Sequence, residues 1–263
     1  MRWSVVIPYY NENPGIAATL DSLGRQTRRD FRLILVDNGS TDGSEAFARQ
    51  VMVRYPDIAV TWLHEPTPGQ VHALKAGVAA ATGELIAICD ADTFYPPHYL
   101  DAATRLYEEG GMALVSVNAV LMPAGKWGWR ARFDRWHWLT AARLWPGQNH
   151  TSGAGQTFRL AALRAAGGYD PAIWPYCLKD HELMARVLKL GRQAYHHDVW
   201  CISSDRRASR AAVRWTLGER LAYHFRPGRD RTRFFHDWLK PRFEARGLQD
   251  TRLRQREWEA ATA

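Results

Sequence analysis

Two carboxylates stand two residues apart at the end of an unbroken apolar run. Leu85-Ile86-Ala87-Ile88-Cys89 carries no charged side chain and leads directly into Asp90-Ala91-Asp92-Thr93. Carboxylate oxygens at that spacing suit one hard divalent cation, and a cation there would clamp a diphosphate. The plainer alternative is that Asp90 closes the strand and Asp92 opens the turn before Tyr95-Pro96-Pro97. Asp37 repeats the arrangement, following Phe31–Val36 and preceding the polar loop Asn38-Gly39-Ser40-Thr41-Asp42-Gly43-Ser44. A carboxylate in that position either accepts from a base N–H or makes an Asx turn. Asp180 opens a segment with helical spacing, as an N-terminal cap or as a general base, with Glu182 the next candidate base. His196 and His197 are adjacent, and only one of two neighbours on a strand can face a cleft. His197 is taken as the candidate further metal ligand; a structural histidine is the alternative.

The elements that must hold these groups alternate. Apolar runs at Trp3–Ile7, Phe31–Val36, Ile58–Leu63 and Leu85–Cys89 read as buried strands. Between them, Ile16 to Arg25 has apolar residues at helical spacing, a helix follows Ser44, and the Ala-rich Gln70–Ala81 carries Lys75. Strands alternating with helices predict a doubly wound parallel sheet, which binds ligands at the carboxyl ends of its strands. Further on, Pro97–Glu109 and Asp180–Leu190 are expected as helices, and Ala113–Met122 and Ala194–Ile202 as strands. Lys126 to Trp145 holds five tryptophans, Trp127, Trp129, Trp136, Trp138 and Trp145, among arginines. It is expected as a helix lying across a cleft or interface, or as an aromatic core flap.

The chain has 263 residues, 46% of them hydrophobic, enough for one sizeable domain or a domain with an appendage. The net charge of +8 comes almost wholly from the sequence after Asp205, which points to an anionic partner. The three cysteines, Cys89, Cys177 and Cys201, form no CxxC pair, so reduced thiols and a cytoplasmic location are expected. Pro8 breaks the first apolar run too early for a signal peptide, and no apolar run is long enough to span a membrane. There is no GxGxxG, no GxxxxGK[ST] and no GxSxG, which removes the motif support for dinucleotide, P-loop and nucleophile-elbow chemistry.

The order of the pieces is more specific than any one of them. Ser4-Val5-Val6-Ile7-Pro8-Tyr9-Tyr10-Asn11-Glu12, then Val36-Asp37 with its Gly/Ser loop, then Gly83-Glu84 through Asp90-Ala91-Asp92, then Asp180-His181-Glu182-Leu183 resembles the family-2 inverting glycosyltransferases. The likeness runs over about residues 3 to 205 and is strongest in the first 100. It implies the GT-A fold, a Rossmann-like, mostly parallel sheet flanked by helices. Residues 1–95 would form the nucleotide-sugar-binding half, 96–205 the acceptor half, and 206–263 a basic helical extension.

By resemblance, Pro8, Tyr10, Asn11, Glu12 and Asp37 hold the nucleotide with Lys75, Asp90 and Ala91, and Asp90 lies near the ribose. Asp92, with His197, would bind the Mn2+ or Mg2+ that bridges the diphosphate. Arg206 and Arg207 look like the family's basic loop after the last strand. Asp180 matches the usual catalytic base. Gly153, Ala154, Gly155, Trp174 and Lys179 are assigned to the acceptor side.

Two departures matter. Lys179 stands where the family has Glu before the catalytic Asp, and an ammonium there favours the ionised carboxylate. The QxxRW motif of processive members is half present, with Arg214-Trp215 in place but Ala211 for Gln. The sequence is therefore read as a metal-dependent, inverting, non-processive glycosyltransferase moving a sugar from a nucleotide-sugar, UDP-sugar favoured, to a hydroxyl acceptor, glycan or lipid-linked. One rival is an aspartate-nucleophile phosphatase, whose Asp-x-Asp wants Thr or Val two places later; Phe94 holds that position. The other rival is a non-catalytic protein that binds anionic surfaces. Nucleic acid is not expected, given the carboxylates at the strand ends. The tail's Trp215, Tyr223, Phe225, Phe234, Phe235 and Trp238 among arginines are expected to meet an anionic membrane surface peripherally. The alternative is a solvated basic face whose aromatics pack on the catalytic domain.

Overall fold

A computed structural model describes residues 1–123, 129–150, 153–204, 215–225 and 231–254. Its first half is a run of strand–helix units. Strand β1 (Trp3–Tyr9) is followed by helix α1 (Ile16–Gly24), β2 (Phe31–Asp37) by α2 (Ser44–Met52), and β3 (Ala59–His64) by α3 (Gln70–Ala80). The short β4 (Leu85–Ile88) ends the run. These four strands are parallel in the order β3-β2-β1-β4. β1, β2 and β4 are almost wholly buried, as their unbroken apolar runs require. Pro8 lies inside β1 rather than ending it. It is tolerated there because pairing with β4 stops at Val6 and Ile88, so no ladder bond is lost.

The second half departs from the all-parallel expectation. After β5 (Thr93–Phe94) come α4 (Tyr99–Gly110), β6 (Leu114–Pro123), α5 (Trp129–Leu144), β7 (Gln156–Arg159), α6 (Leu160–Ala165), α7 (Lys179–Val187) and β8 (Arg192–Ser203). The eight strands form one sheet, β3-β2-β1-β4-β7-β6-β8-β5. β7 is antiparallel to both β4 and β6, and β5 is antiparallel to β8. β5 is thus at the sheet edge, yet only 89–92 separate it from β4. A flat sheet would need about 19 Å for those four strand steps, more than that link reaches, so the sheet curls and brings its edge back over the end of β4. Ser204 N–H bonds to Asp92 O at 3.0 Å and closes the curl.

Two core clusters cover the faces of the sheet. A third lies outside it, made by α8 (Leu217–Phe225) and a helical stretch over 231–245, after which comes a 3-10 turn, Asp250–Arg254. Tyr223, Phe234, Phe235, Leu239 and Phe243 pack there against Trp174, Tyr176 and Cys177 of the acceptor half. Trp215 and Trp238 are half-buried against the same cluster. The packed alternative therefore holds for five of the six tail aromatics, and Phe225 alone of them is exposed. All three cysteines are buried, and none of them is in a disulfide. Among the described residues, no helix is long and apolar enough to cross a membrane.

Candidate active site

The carboxyl ends of β1, β2, β3 and β4 converge on one edge. The loop after β1 is sewn to the loop after β2. Asn11 N–H bonds to Ser40 Oγ at 3.0 Å, Asn11 Oδ1 accepts Thr41 N–H at 2.7 Å, and Glu12 N–H bonds to Ser44 Oγ at 2.7 Å. Asn11 takes a left-handed backbone, φ 50°, to make this turn. Asp37 is buried at the end of β2, where Oδ1 accepts Ser40 N–H at 3.0 Å and Oδ2 lies 3.4 Å from His64 Nδ1. Its neighbour Asn38 ties three segments together, donating to Glu65 O and Thr67 O and accepting Gly69 N–H at 3.0 Å. The result is a shelf of carboxylates and loop amides held by side-chain bonds.

Asp90 and Asp92 follow β4. Asp90 N–H bonds to the Tyr95 hydroxyl at 2.9 Å, which holds the turn. Both carboxylate oxygens of Asp92 are buried. Gln70, the first residue of α3, bridges the two halves: Nε2 is 3.4 Å from Asp90 Oδ1, and Oε1 accepts from Lys179 Nζ at 2.8 Å. Leu178, in the left-handed region at φ 61°, precedes α7 as its cap residue and makes no side-chain cap bond. Asp180 then sits in the first turn, with its carboxylate against the Gly153 backbone: a Cβ on Gly153 would stand 2.5 Å from Asp180 Oδ1. Asp180 and Asp90 both act on the Tyr169 hydroxyl, whose pKa is pushed well up, by burial first and by these two charges next. That phenol has no hydrogen-bond partner among the described residues.

Residues 4–165, more than half of the chain, match the family model described as glycosyl transferase family 2. The chain belongs to that family. An uncharacterized glycosyltransferase of Nostoc sp. is 35% identical over 108 residues, 41% of this chain and 33% of that one. An undecaprenyl-phosphate 4-deoxy-4-formamido-L-arabinose transferase of Serratia proteamaculans is 29% identical over 144 residues, 54% of this chain and 41% of that one. The chain thus spans well under half the length of these curated relatives. Among solved structures, the mannosyltransferase PcManGT of Pyrobaculum calidifontis, in complex with GDP-Man and Mn2+, superposes with a TM-score of 0.69 at 24% identity, covering 93% of this chain and 73% of that one. The S. aureus TarS fragment 1-349 with UDP-GlcNAc gives 0.61 at 16% identity, with the same coverage. The architecture is the GT-A fold of the family-2 glycosyltransferases.

Several expected site residues are brought together along this edge and several are not. Asn11, Glu12 and Asp37 share the loop shelf, and Asp90, Lys179, Asp180 and Gly153 share the cleft edge. Pro8 lies inside β1, and Tyr10 begins the loop after it. Ala91 is buried and its carbonyl accepts Thr19 Oγ1 at 2.8 Å. Ala154 and Gly155 are buried in the turn before β7, with Gly155 N–H on Ile88 O at 3.0 Å. Lys75 is half-exposed and pairs with Asp170 at 3.1 Å.

His197 is not brought to Asp92. It lies in a bulge where β8 residues 196–199 have no partner on β6, stacked on His196 with ring centroids 4.0 Å apart and 3.3 Å from Asp198. Ser203, which opposes Thr93, lies about 10 Å further along the strand from Trp200, where the bulge ends. Trp174 is a core residue rather than an acceptor platform: it is buried, and its Nε1 donates to Cys177 O at 2.9 Å. Glu182 is closed off as a base, since Arg186 holds it at 2.8 Å and His236 at 2.9 Å. Burial alone would raise its pKa, but these bonds outweigh burial and lower it. Arg206 and Arg207 lie outside the described residues.

The sequence reading missed Gln70, Asn38, Tyr169 and Gln156. Gln156 is fully buried opposite Ile88 on β4, and neither atom of its amide has a partner among the described residues. A buried unsatisfied amide is costly. The signal in the sequence was a polar residue inside a strand between Gly155 and Phe158.

Proposed function

We propose that the chain is a metal-dependent, inverting, non-processive glycosyltransferase that moves one sugar from a nucleotide-sugar to a hydroxyl acceptor of glycan or lipid-linked type. The observation that carries this is the Gln70 bridge, with Nε2 3.4 Å from Asp90 Oδ1 and Oε1 2.8 Å from Lys179 Nζ, which sets the end of β4 beside the start of α7, where Asp180 packs against Gly153. One carboxylate belongs to the donor strand's end and the other to a helix across the cleft, as a single displacement requires. Asp180 takes the proton of the acceptor hydroxyl as its oxygen attacks the anomeric carbon. The bond from that carbon to the diphosphate breaks, the nucleoside diphosphate leaves with the electron pair, and the configuration inverts.

Asp92, with Asp90 beside it, is a hard oxygen donor set of the kind Mn2+ and Mg2+ take. An ion held there supplies charge neutralisation for the departing diphosphate. The Mn2+ of the Pyrobaculum relative's complex supports this reading. The relatives' complexes contain a guanosine nucleotide in one case and a uridine nucleotide in the other, so base choice rests on this chain. Asp37 has Oδ1 on Ser40 N–H and Oδ2 3.4 Å from His64 Nδ1, so its remaining acceptor capacity suits one base N–H. Uracil presents a single N–H between two carbonyls, whereas guanine presents several donors on one edge. This favours a UDP-sugar.

The test is a nucleotide-sugar screen by thermal shift with Mn2+, followed by assay of nucleotide release with acceptor. A bound donor at a hundredfold excess over Kd adds about 2.7 kcal/mol to stability. No shift with any nucleotide-sugar, together with phosphate release from phosphomonoesters, overturns the proposal in favour of a phosphatase.

A further inference from the structure

Among the described residues, the exposed large apolar side chains concentrate on two helices, α5 and α8. On α5, Phe133, Trp136, His137, Thr140 and Leu144 lie at i, i+3, i+4, i+7 and i+11, which is one helical stripe. Phe133 is 57% exposed, Trp136 60% and Leu144 65%. The opposite side of α5, at Ala142, is buried, and this helix packs on β6 and β8. On α8, Leu217, Leu221 and Phe225 repeat every fourth residue, 74%, 47% and 69% exposed. The loop after α5 joins the two: Asn149 N–H bonds to the Tyr223 hydroxyl at 2.9 Å, and Gln148 Oε1 lies 2.7 Å from His224 Nδ1.

We infer that this α5–α8 face docks the protein on an anionic lipid surface. Charge names the occupant. From Arg135 to Asn149 the sequence contains no carboxylate, while Arg143 is exposed at the edge of the stripe. The only acid of α8, Glu219, is buried and bonded to Arg246 at 2.6 Å, while Arg220 is exposed. Asp134, beside Phe133, is the one acid of α5, against Arg130, Arg132, Arg135 and Arg143 in the same helix. Aromatic rings among an excess of arginines are what an interfacial helix presents to headgroups. The basic tail as a whole does not provide that face, because the third core takes up most of its rings.

The face also adjoins the cleft. Asn149 Nδ2 is 2.9 Å from His181 Nδ1, and His181 follows Asp180. A hydroxyl acceptor carried in the lipid surface would thus be held beside the proposed base. This last step rests on the proposed function; lipid binding itself does not.

Sedimentation of the full chain with phosphatidylglycerol–phosphatidylcholine vesicles tests the inference without reading catalysis. The wild type is expected to pellet at low salt and to be released by high salt. F133S/W136S and L221S/F225S are each expected to lower partitioning about tenfold or more, with the donor thermal shift unchanged. Wild type left in the supernatant at low salt, or both double variants pelleting like wild type, overturns it. So does a concentration-dependent dimer that these substitutions dissociate while vesicles go unbound, since a second copy then covers the face.

Discussion

The carboxylate of Asp250 accepts the backbone N–H of Val71 at 2.7 Å, across 179 residues of sequence. It is buried at 5% exposure and caps the first turn of α3 from outside that helix. Gly69 leaves room for it: its φ is 131°, and a Cβ there would stand 3.0 Å from Asp250 Oδ1. The C-terminal segment thereby holds the turn that aims Gln70 at Asp90 and Lys179. Asp250→Ala should cost about 0.5–2 kcal/mol, as loss of a helix cap does, and should weaken donor binding as well. Thermal melts with and without donor check both; an unchanged melting temperature would show the contact to be idle.

Asp180→Asn keeps the shape of the side chain but cannot take a proton. Donor affinity should stay close to wild type while transfer falls by about 10²-fold or more. Single-turnover assays beside donor titration separate these effects. A variant that transfers at the normal rate places the base elsewhere, and Glu182, held by Arg186 and His236, is not available to replace it.

Gly153→Ala probes the same carboxylate from the other side. The added methyl would come within 2.5 Å of Asp180 Oδ1, so the base must move. The expected result is a loss of kcat approaching that of Asp180→Asn, with donor affinity retained. Wild-type kcat in this variant contradicts the contact.

Asp92→Asn should abolish Mn2+-dependent transfer while the protein stays folded. Titrating Mn2+ by its effect on the melting temperature reads metal affinity independently of turnover. Full activity of EDTA-treated wild type would disprove a metal role.

The His181 ring packs against Trp215 and Tyr223 and accepts a hydrogen bond from the Asn149 amide. Burial lowers its pKa from 6.5 to about 4, against the pull of Asp180. As pH falls through that interval, the unfolded chain takes up a proton that the folded chain refuses. Stability from this group is therefore complete above pH 6.5 and declines towards about pH 4. His181→Gln, which keeps an acceptor, should flatten the pH dependence of unfolding within that window. The same slope in both proteins would assign it to another group.

What the sequence by itself determined was local or order-dependent. Apolar runs ending in Asp37 and Asp90 are readable because a strand buried on both faces admits no polar break, and the chain must turn where the run stops. The order of those ends, with Asp180 far downstream, carried the family resemblance. Only the tertiary structure decided which distant groups meet. The reversal of β7 and the curl of the sheet come from pairing between strands, which no single run encodes. They bring Gly153 to Asp180 and Ser204 to Asp92, whereas the bulge in β8 keeps His197 away. Trp174 and the tail aromatics looked like ligand or lipid contacts because a ring suits a core and a surface equally well. Burial is a property of the packed molecule. Asp250 was equally silent, since a cap is legible in sequence only when it precedes its own helix, and this one arrives from the far end of the chain.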